Sequence, residues 1–315
     1  MENTGKHTYE EKTYAVFGDV HAHLDQFVKT LRTLGWDPST FALPKNLTII
    51  QAGDLIHKGP ATNEIVKLVD STLLRNSGDP ETGDWVQLMG NHESQYFRGT
   101  ALFWKSECSQ RSIRTLHRWM ESGDLSFAYL IPQDDGKPYV VTHGGVNPFW
   151  YYRAEVRFND VVKGISTTQA ILNEARIQRT PENFVSWMNS LSEDIPFACR
   201  PGVMLRSGVS SKASPVWALS SHEVYSKWRE AEVPFHQIHG HAAPYMWKQE
   251  MFYPNTPLVV QRETSLFPEE RRSVWRNTDG AEFHCIDNGF EDTADREYIQ
   301  PMLMTRKGII PFKIR

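Results

Sequence analysis

Cysteine is scarce. The 315 residues hold only Cys108, Cys199 and Cys285, far apart and without a C-x-x-C pair, which argues against a disulfide framework and against a thiolate metal cage. Long apolar runs are missing too: nothing approaches the roughly 20 residues of a membrane-spanning helix, and the opening MENTGKHTYEEK lacks the apolar core of a secretion signal. A soluble cytoplasmic chain with no membrane partner is expected. Neither charge sign dominates, with 34 Lys plus Arg against 38 Asp plus Glu and a formal net charge of -4, so no polybasic surface points to a nucleic-acid polymer or anionic lipid. Phosphorylated small molecules and phosphoproteins remain as partners. Repeats, low-complexity tracts and Gly/Ser linkers are absent, and the expectation is a single domain over residues 13–315 with a helical insertion at about 149–201.

Short runs rich in Val, Ile, Tyr and Phe recur at TYAVF, NLTIIQA, DWVQLM, PYVVT and FHQI, each bounded by turn residues, and predict strands. Helical spacing of Leu24, Phe27, Val28, Leu31 and Leu34 fills the first gap, with Gly35 placed to stop it, and Ile65, Leu68, Val69 and Leu73 form a second face after Pro60. Strand, loop and helix therefore alternate, which predicts an α/β architecture with ligands at the carboxyl ends of strands. TTQAILNEARIQ and PENFVSWMNSLSE are helical pieces within the insertion, and PVWAL, PLVVQ and FHCIDNG read as later strands.

The five early strand runs end, in order, in GDVHAH, GDLIHKG, GNHE, HGG and HGHA. One Gly-Asp after a strand is ordinary turn chemistry. Five loops offering only carboxylate, carboxamide or imidazole are not, and seven of the twelve histidines fall in them. Such donors suit divalent Mn, Fe or Zn, and an aspartate can bridge two ions roughly 3.5–4 Å apart. Two such ions, two aspartates and a bridging hydroxide sum to a formal charge of about +1, a favourable seat for a phosphoryl dianion.

The ordered set G-D-x-H, G-D-x-x-x-x-G, G-N-H-E, H-G-G and G-H resembles the calcineurin-like metallophosphoesterases, and within them the branch of Ser/Thr protein phosphatases and dinucleoside tetraphosphate hydrolases. The resemblance spans about residues 15 to 245. It implies a β-sandwich of two mixed sheets flanked by helices, and two divalent cations, Mn2+ first with Fe or Zn as alternatives. Asp19, His21, Asp54, Asn91, His143 and His241 would then ligate metal, Asp54 as the bridge, and His92 would be the general acid.

His57 and Lys58 stand where the family pattern usually has Asp and Arg. A histidine there cannot give His92 a carboxylate partner, unless Glu93 or an acid of the insertion substitutes, and lysine offers phosphate a point charge instead of a planar fork. Candidate substrate contacts are His57, Lys58 and Arg206, the last in competition with Arg200 and Arg153. His23 is either a substrate contact or a helix-start residue, and His239 is an alternative to His241. Trp150, Tyr151 and Tyr152 either stack on a base or pack the insertion down. The expected function is hydrolysis of phosphate monoesters by a metal-bridging hydroxide; the alternatives are a dinucleoside polyphosphate hydrolase and a non-catalytic metal-binding scaffold.

Overall fold

The computed structural model describes residues 9–97, 103–134, 136–152, 180–201, 213–287 and 297–312. Its strands, in chain order, are β1 (Thr13–Phe17), β2 (Leu47–Gln51), β3 (Asp84–Leu88), β4 (Leu125–Ser126), β5 (Ala128–Ile131), β6 (Tyr139–Thr142), β7 (His236–His239), β8 (Tyr245–Met246), β9 (Met251–Phe252), β10 (Thr264–Phe267), β11 (Arg272–Arg276), β12 (Glu282–Cys285), β13 (Met302–Thr305) and β14 (Gly308–Ile310). They make two six-stranded sheets, β14-β13-β1-β2-β3-β4 and β10-β11-β12-β7-β6-β5, and a small β8-β9 hairpin. Both large sheets are mixed. β1, β2, β3 and β4 run parallel while β13 joins β1 antiparallel, and β6, β7 and β12 run parallel between antiparallel flanks.

Alternation within each strand explains the layering. Tyr14, Val16, Ile50, Leu88 and Met304 of the first sheet share one buried cluster with Ile131, Val141 and Ile238 of the second. The opposite face of the first sheet, with Ala15, Phe17, Leu47 and Ile49, packs against helix residues Phe27, Leu31, Ile65 and Val69. β1 and β2 are therefore buried along their whole length, as expected of strands covered on both faces. Burying Phe27 alone is worth about 2–3 kcal/mol.

Helix α1 (Leu24–Thr33) joins β1 to β2, and α2 (Thr62–Asn76) joins β2 to β3. Both crossovers leave the carboxyl ends of parallel strands on one rim. A single turn, α3 (Asn91–Ser94), follows β3, and α4 (Gln110–Ser122) is capped by the Ser109 hydroxyl and stopped by Gly123 at φ +81°. Further along, the Pro181–Asn189 helix buries Phe184 and Met188, and Asn189 ties it to the backbone of Phe127 and Ala128.

Two expected strands are not strands. PVWAL forms a turn in which Trp217 N–H donates to the Ser214 carbonyl, leading into a wide helical turn at Ser220–Tyr225. PLVVQ is the start of a helix, Leu258–Glu263, in which Gln261 N–H donates to the Pro257 carbonyl and only Val260 is buried. Local β-propensity yields in both cases to tertiary packing. TTQAILNEARIQ lies outside the described residues.

Candidate metal centre

All five motif loops open on one rim, three from the first sheet and two from the second. His143 Nε2 lies 3.3 Å from Asp54 Oδ1, and His92 Nε2 lies 3.6 Å from Asp54 Oδ2. His21 Nε2 stands 3.5 Å from Asp19 Oδ2, and Asp19 Oδ1 is 3.9 Å from His143 Nδ1. Two donor groups result, His21–Asp54–His92 and Asp54–His143–His241, each with ligand atoms within 4.8 Å of one another, and both use Asp54. The outer atom of the Asn91 carboxamide sits 3.0–3.1 Å from both Asp54 oxygens, His143 Nε2 and His241 Nδ1.

The backbone is bent to achieve this. His21, Ala22, Asp54, His57, Lys58 and His241 all have φ between +47° and +70°, a left-handed conformation that costs a non-glycine residue on the order of 1–2 kcal/mol. Ala22 adopts it in place of glycine. Val20 and His21 N–H donate to the Asp54 carbonyl at 3.0 and 2.9 Å, and Ala22 N–H to the Leu55 carbonyl at 2.8 Å, locking the first two loops together. His92 N–H donates to Asp54 Oδ1 and His241 N–H to Asp19 Oδ1, both at 2.9 Å. A Cβ at Gly90 would strike the Asp54 carboxylate, and one at Gly240 would strike that of Asp19.

Burial holds the imidazoles of His21, His92 and His143 well below the usual histidine range, and brings His241 down to about 3. These rings are neutral at physiological pH, with lone pairs available. Burial also raises Asp19 and Asp54, further aided by the neighbouring charges of Asp287 and Glu93 respectively. Desolvated carboxylates beside neutral imidazoles are the environment a divalent cation relieves, because ligands must arrive deprotonated and charge must be balanced. The position of the Asn91 amide fits as well. Its outer atom faces only lone-pair atoms, as an amide oxygen would when it shares a cation with them. Lys58 extends into the same space, its Nζ 3.0 Å from His21 Nε2.

Behind His92 runs a hydrogen-bonded chain. Gln95 Oε1 accepts from Phe103 N–H at 3.1 Å, Nε2 donates to the His92 carbonyl at 2.9 Å, and Nε2 also lies 3.3 Å from His57 Nδ1. His57 Nε2 meets Tyr96 Oη at 2.6 Å, and His57 Nδ1 meets His92 Nδ1 at 3.0 Å, a contact in which one imidazole donates and the other accepts. His57 is fully buried with both ring nitrogens engaged, which sets it behind His92 instead of among substrate contacts. Burial, followed by the Lys58 charge, lowers it to about 4.

Glu93 does not replace the missing acid. Its carboxylate accepts backbone N–H groups of Asp54 and Gly90 at 2.9 Å, Leu55 at 3.0 Å and Ile56 at 3.3 Å, and so fastens the Asp54 loop to α3.

The remaining candidates are dispersed. His239 lies at the end of β7, fully buried, bonded to Tyr225 Oη and the Gly240 carbonyl; the strand ends there, and the turn at His241 parts the two rings. His23 caps α1 in position and is buried. Arg206 and Arg153 lie outside the described residues, and Arg200 is exposed. Trp150 and Tyr151 are buried among Phe184, Phe197, Trp228 and Phe235, so these two rings serve packing. Asp287 was missed by the sequence reading although FHCIDNG places an acid after a strand; it is buried, accepts from Ala243 N–H at 3.3 Å, and its charge is felt at Asp19. Trp104 and Phe103, which cover His92, carry no motif at all.

The family model described as calcineurin-like phosphoesterase matches residues 12–266, and the chain belongs to that family of phosphoesterases. It is similar to the symmetrical bis(5'-nucleosyl)-tetraphosphatase of Klebsiella pneumoniae, 29% identical over 143 residues, a stretch that covers 44% of each chain. It is similar too to the zinc-dependent endopolyphosphatase of Saccharomyces cerevisiae, 33% identical over 82 residues, 26% of this chain and 21% of that one. The match spans less than half the length of these curated relatives. Among solved structures, the cold-active protein-tyrosine phosphatase of a Shewanella species aligns over 96% of this chain and 78% of its own, with TM-score 0.47 and 14% identity.

Proposed function

We propose that the chain hydrolyses phosphate monoesters, of small molecules or phosphoproteins, at a pair of divalent cations held by Asp19, His21, Asp54, Asn91, His143 and His241. The observation that carries this reading is the pair of donor groups sharing Asp54, buried but for half-buried His241. When bound, the ions would supply Lewis acidity and a water activated near neutral pH; Mn2+ is our first choice, with Fe or Zn as alternatives. Lys58 draws the phosphoryl oxygens toward the cluster. His92, as imidazolium, hands a proton to the leaving oxygen from Nε2. Its partner at Nδ1 is the neutral His57, so the imidazolium gains no ion pair and good leaving groups are favoured.

Hydrolysis of dinucleoside polyphosphates is the second reading. The similarity to a tetraphosphatase over nearly half of the chain supports it, and an anhydride needs little help from the acid.

Phosphate release from phosphopeptide, aryl phosphate and dinucleoside tetraphosphate, each with Mn2+, Zn2+ and Fe2+, tests both. D54N is expected to lose activity by a factor of about 100 or more and to bind fewer ions. H92A should lose about 10²–10⁴-fold on alkyl esters while retaining both ions by metal analysis. Loss of an ion in H92A would make His92 a ligand instead, and full turnover in both variants would refute the mechanism.

A further inference from the structure

Trp104 stacks on His92 with ring centroids 5.2 Å apart and planes at 23°. Phe103 meets both rings, 4.9 Å from Trp104 at 75° and 4.8 Å from His92. Trp217 continues the series, 6.4 Å from Phe103 and 6.1 Å from His241. An aromatic wall therefore follows both halves of the donor cluster. Trp217 is buried, and its indole N–H has no hydrogen-bond partner among the described residues, an unusual state for a buried donor.

Trp104 differs from the rest of the wall. It is 42% exposed and sits at φ +47°, so a large apolar ring is presented to solvent from a disfavoured backbone conformation. Lys58 Nζ lies 5.8 Å from the Trp104 centroid and 3.0 Å from His21 Nε2. A cation suited to a phosphoryl group thus lies over a partly exposed aromatic ring, on the flank where His92 meets the leaving group.

We propose that Trp104 is a specificity-determining residue that seats a planar aromatic group on the leaving side of the substrate, either an aryl ring or a nucleobase. The proposal deepens the phosphoesterase reading and rests on it for the direction of the leaving group. Stacking is tolerant of ring identity because every such ring offers a π-face.

The test compares wild type, W104F and W104L on phenyl phosphate, adenosine 5'-monophosphate and butyl phosphate, together with calorimetric affinities for phenylphosphonate and methylphosphonate. In W104L, the preference in kcat/KM for aromatic over butyl ester should fall about tenfold, with a similar loss of affinity for phenylphosphonate alone. W104F should recover most of both. A loss confined to the nucleotide supports a nucleobase seat, and one confined to the phenyl ester a small aryl seat. An unchanged preference in all variants, or W104F as damaging as W104L, would overturn the proposal and leave the indole as support for His92. Absence of turnover by wild type with every ion would count against the phosphoesterase reading, while the phosphonate affinities would still decide the role of Trp104.

Discussion

His57 occupies a position where one side chain sets the chemistry of another. Its neutral ring meets His92 Nδ1 at 3.0 Å, and its own φ of +70° is one that aspartate tolerates better than most residues. H57D would place an anionic acceptor behind His92 and favour the imidazolium. Turnover of alkyl phosphates should then rise relative to aryl phosphates, flattening the dependence of kcat on leaving-group pKa. A steeper dependence in H57D would show that the neutral partner does not limit proton delivery. The sequence announced this substitution and the loss of a carboxylate partner for His92 but not the contact itself, because whether His57 faces His92 depends on Gln95, Tyr96 and the turn at Phe103, which no spacing rule relates.

At the scale of elements, a polar network across inner strands of the second sheet shows how strand pairing is reinforced. Glu282, at the start of β12, accepts from His284 Nε2 at 3.0 Å and Arg276 Nε at 2.8 Å, and Tyr139 of β6 reaches it at 3.3 Å. His284 is neutral, since burial lowers it to about 4, and its Nδ1 accepts from Arg272. These donors, His284 first, draw the Glu282 carboxyl down to about 2. A carboxyl held lower in the fold than in the unfolded chain adds stability that is complete above its ordinary value and is lost as pH falls through the folded one. E282Q should therefore be less stable by about 1–2 kcal/mol at pH 7, with the difference shrinking between pH 4.5 and 2. Urea denaturation at both ends of that window checks it, and an equal deficit at each would refute the linkage.

For the whole molecule, the donors come from both layers: Asp19, His21, Asp54 and Asn91 from the first sheet, His143 and His241 from the second. A cation shared among them would tie the sheets together and bind only the folded chain. Loading at 100 times Kd should add about 2.7 kcal/mol and raise Tm by several degrees, an increment that chelator removes and D54N lacks. An identical Tm with and without metal in wild type would sink this expectation. The rim was legible in the sequence because strand ends on both sheets carry the same sparse vocabulary of Asp, Asn and His. PVWAL and PLVVQ were misread because a short β-prone apolar run has no period that separates a strand from a turn or a helix start, so tertiary packing decides. The aromatic wall was hidden for a related reason: Phe103 and Trp104 look like core residues until the fold leaves one of them in the open.

Asp19 accepts from His241 across 222 positions of chain. At roughly 5–20 residues per second of synthesis, the earliest donor waits on the order of ten to forty seconds for its last companion to emerge from the ribosome. A nascent fragment ending before the second sheet would hold the His21–Asp54–His92 group but lack His143 and His241, so completion of the second donor group is a late event.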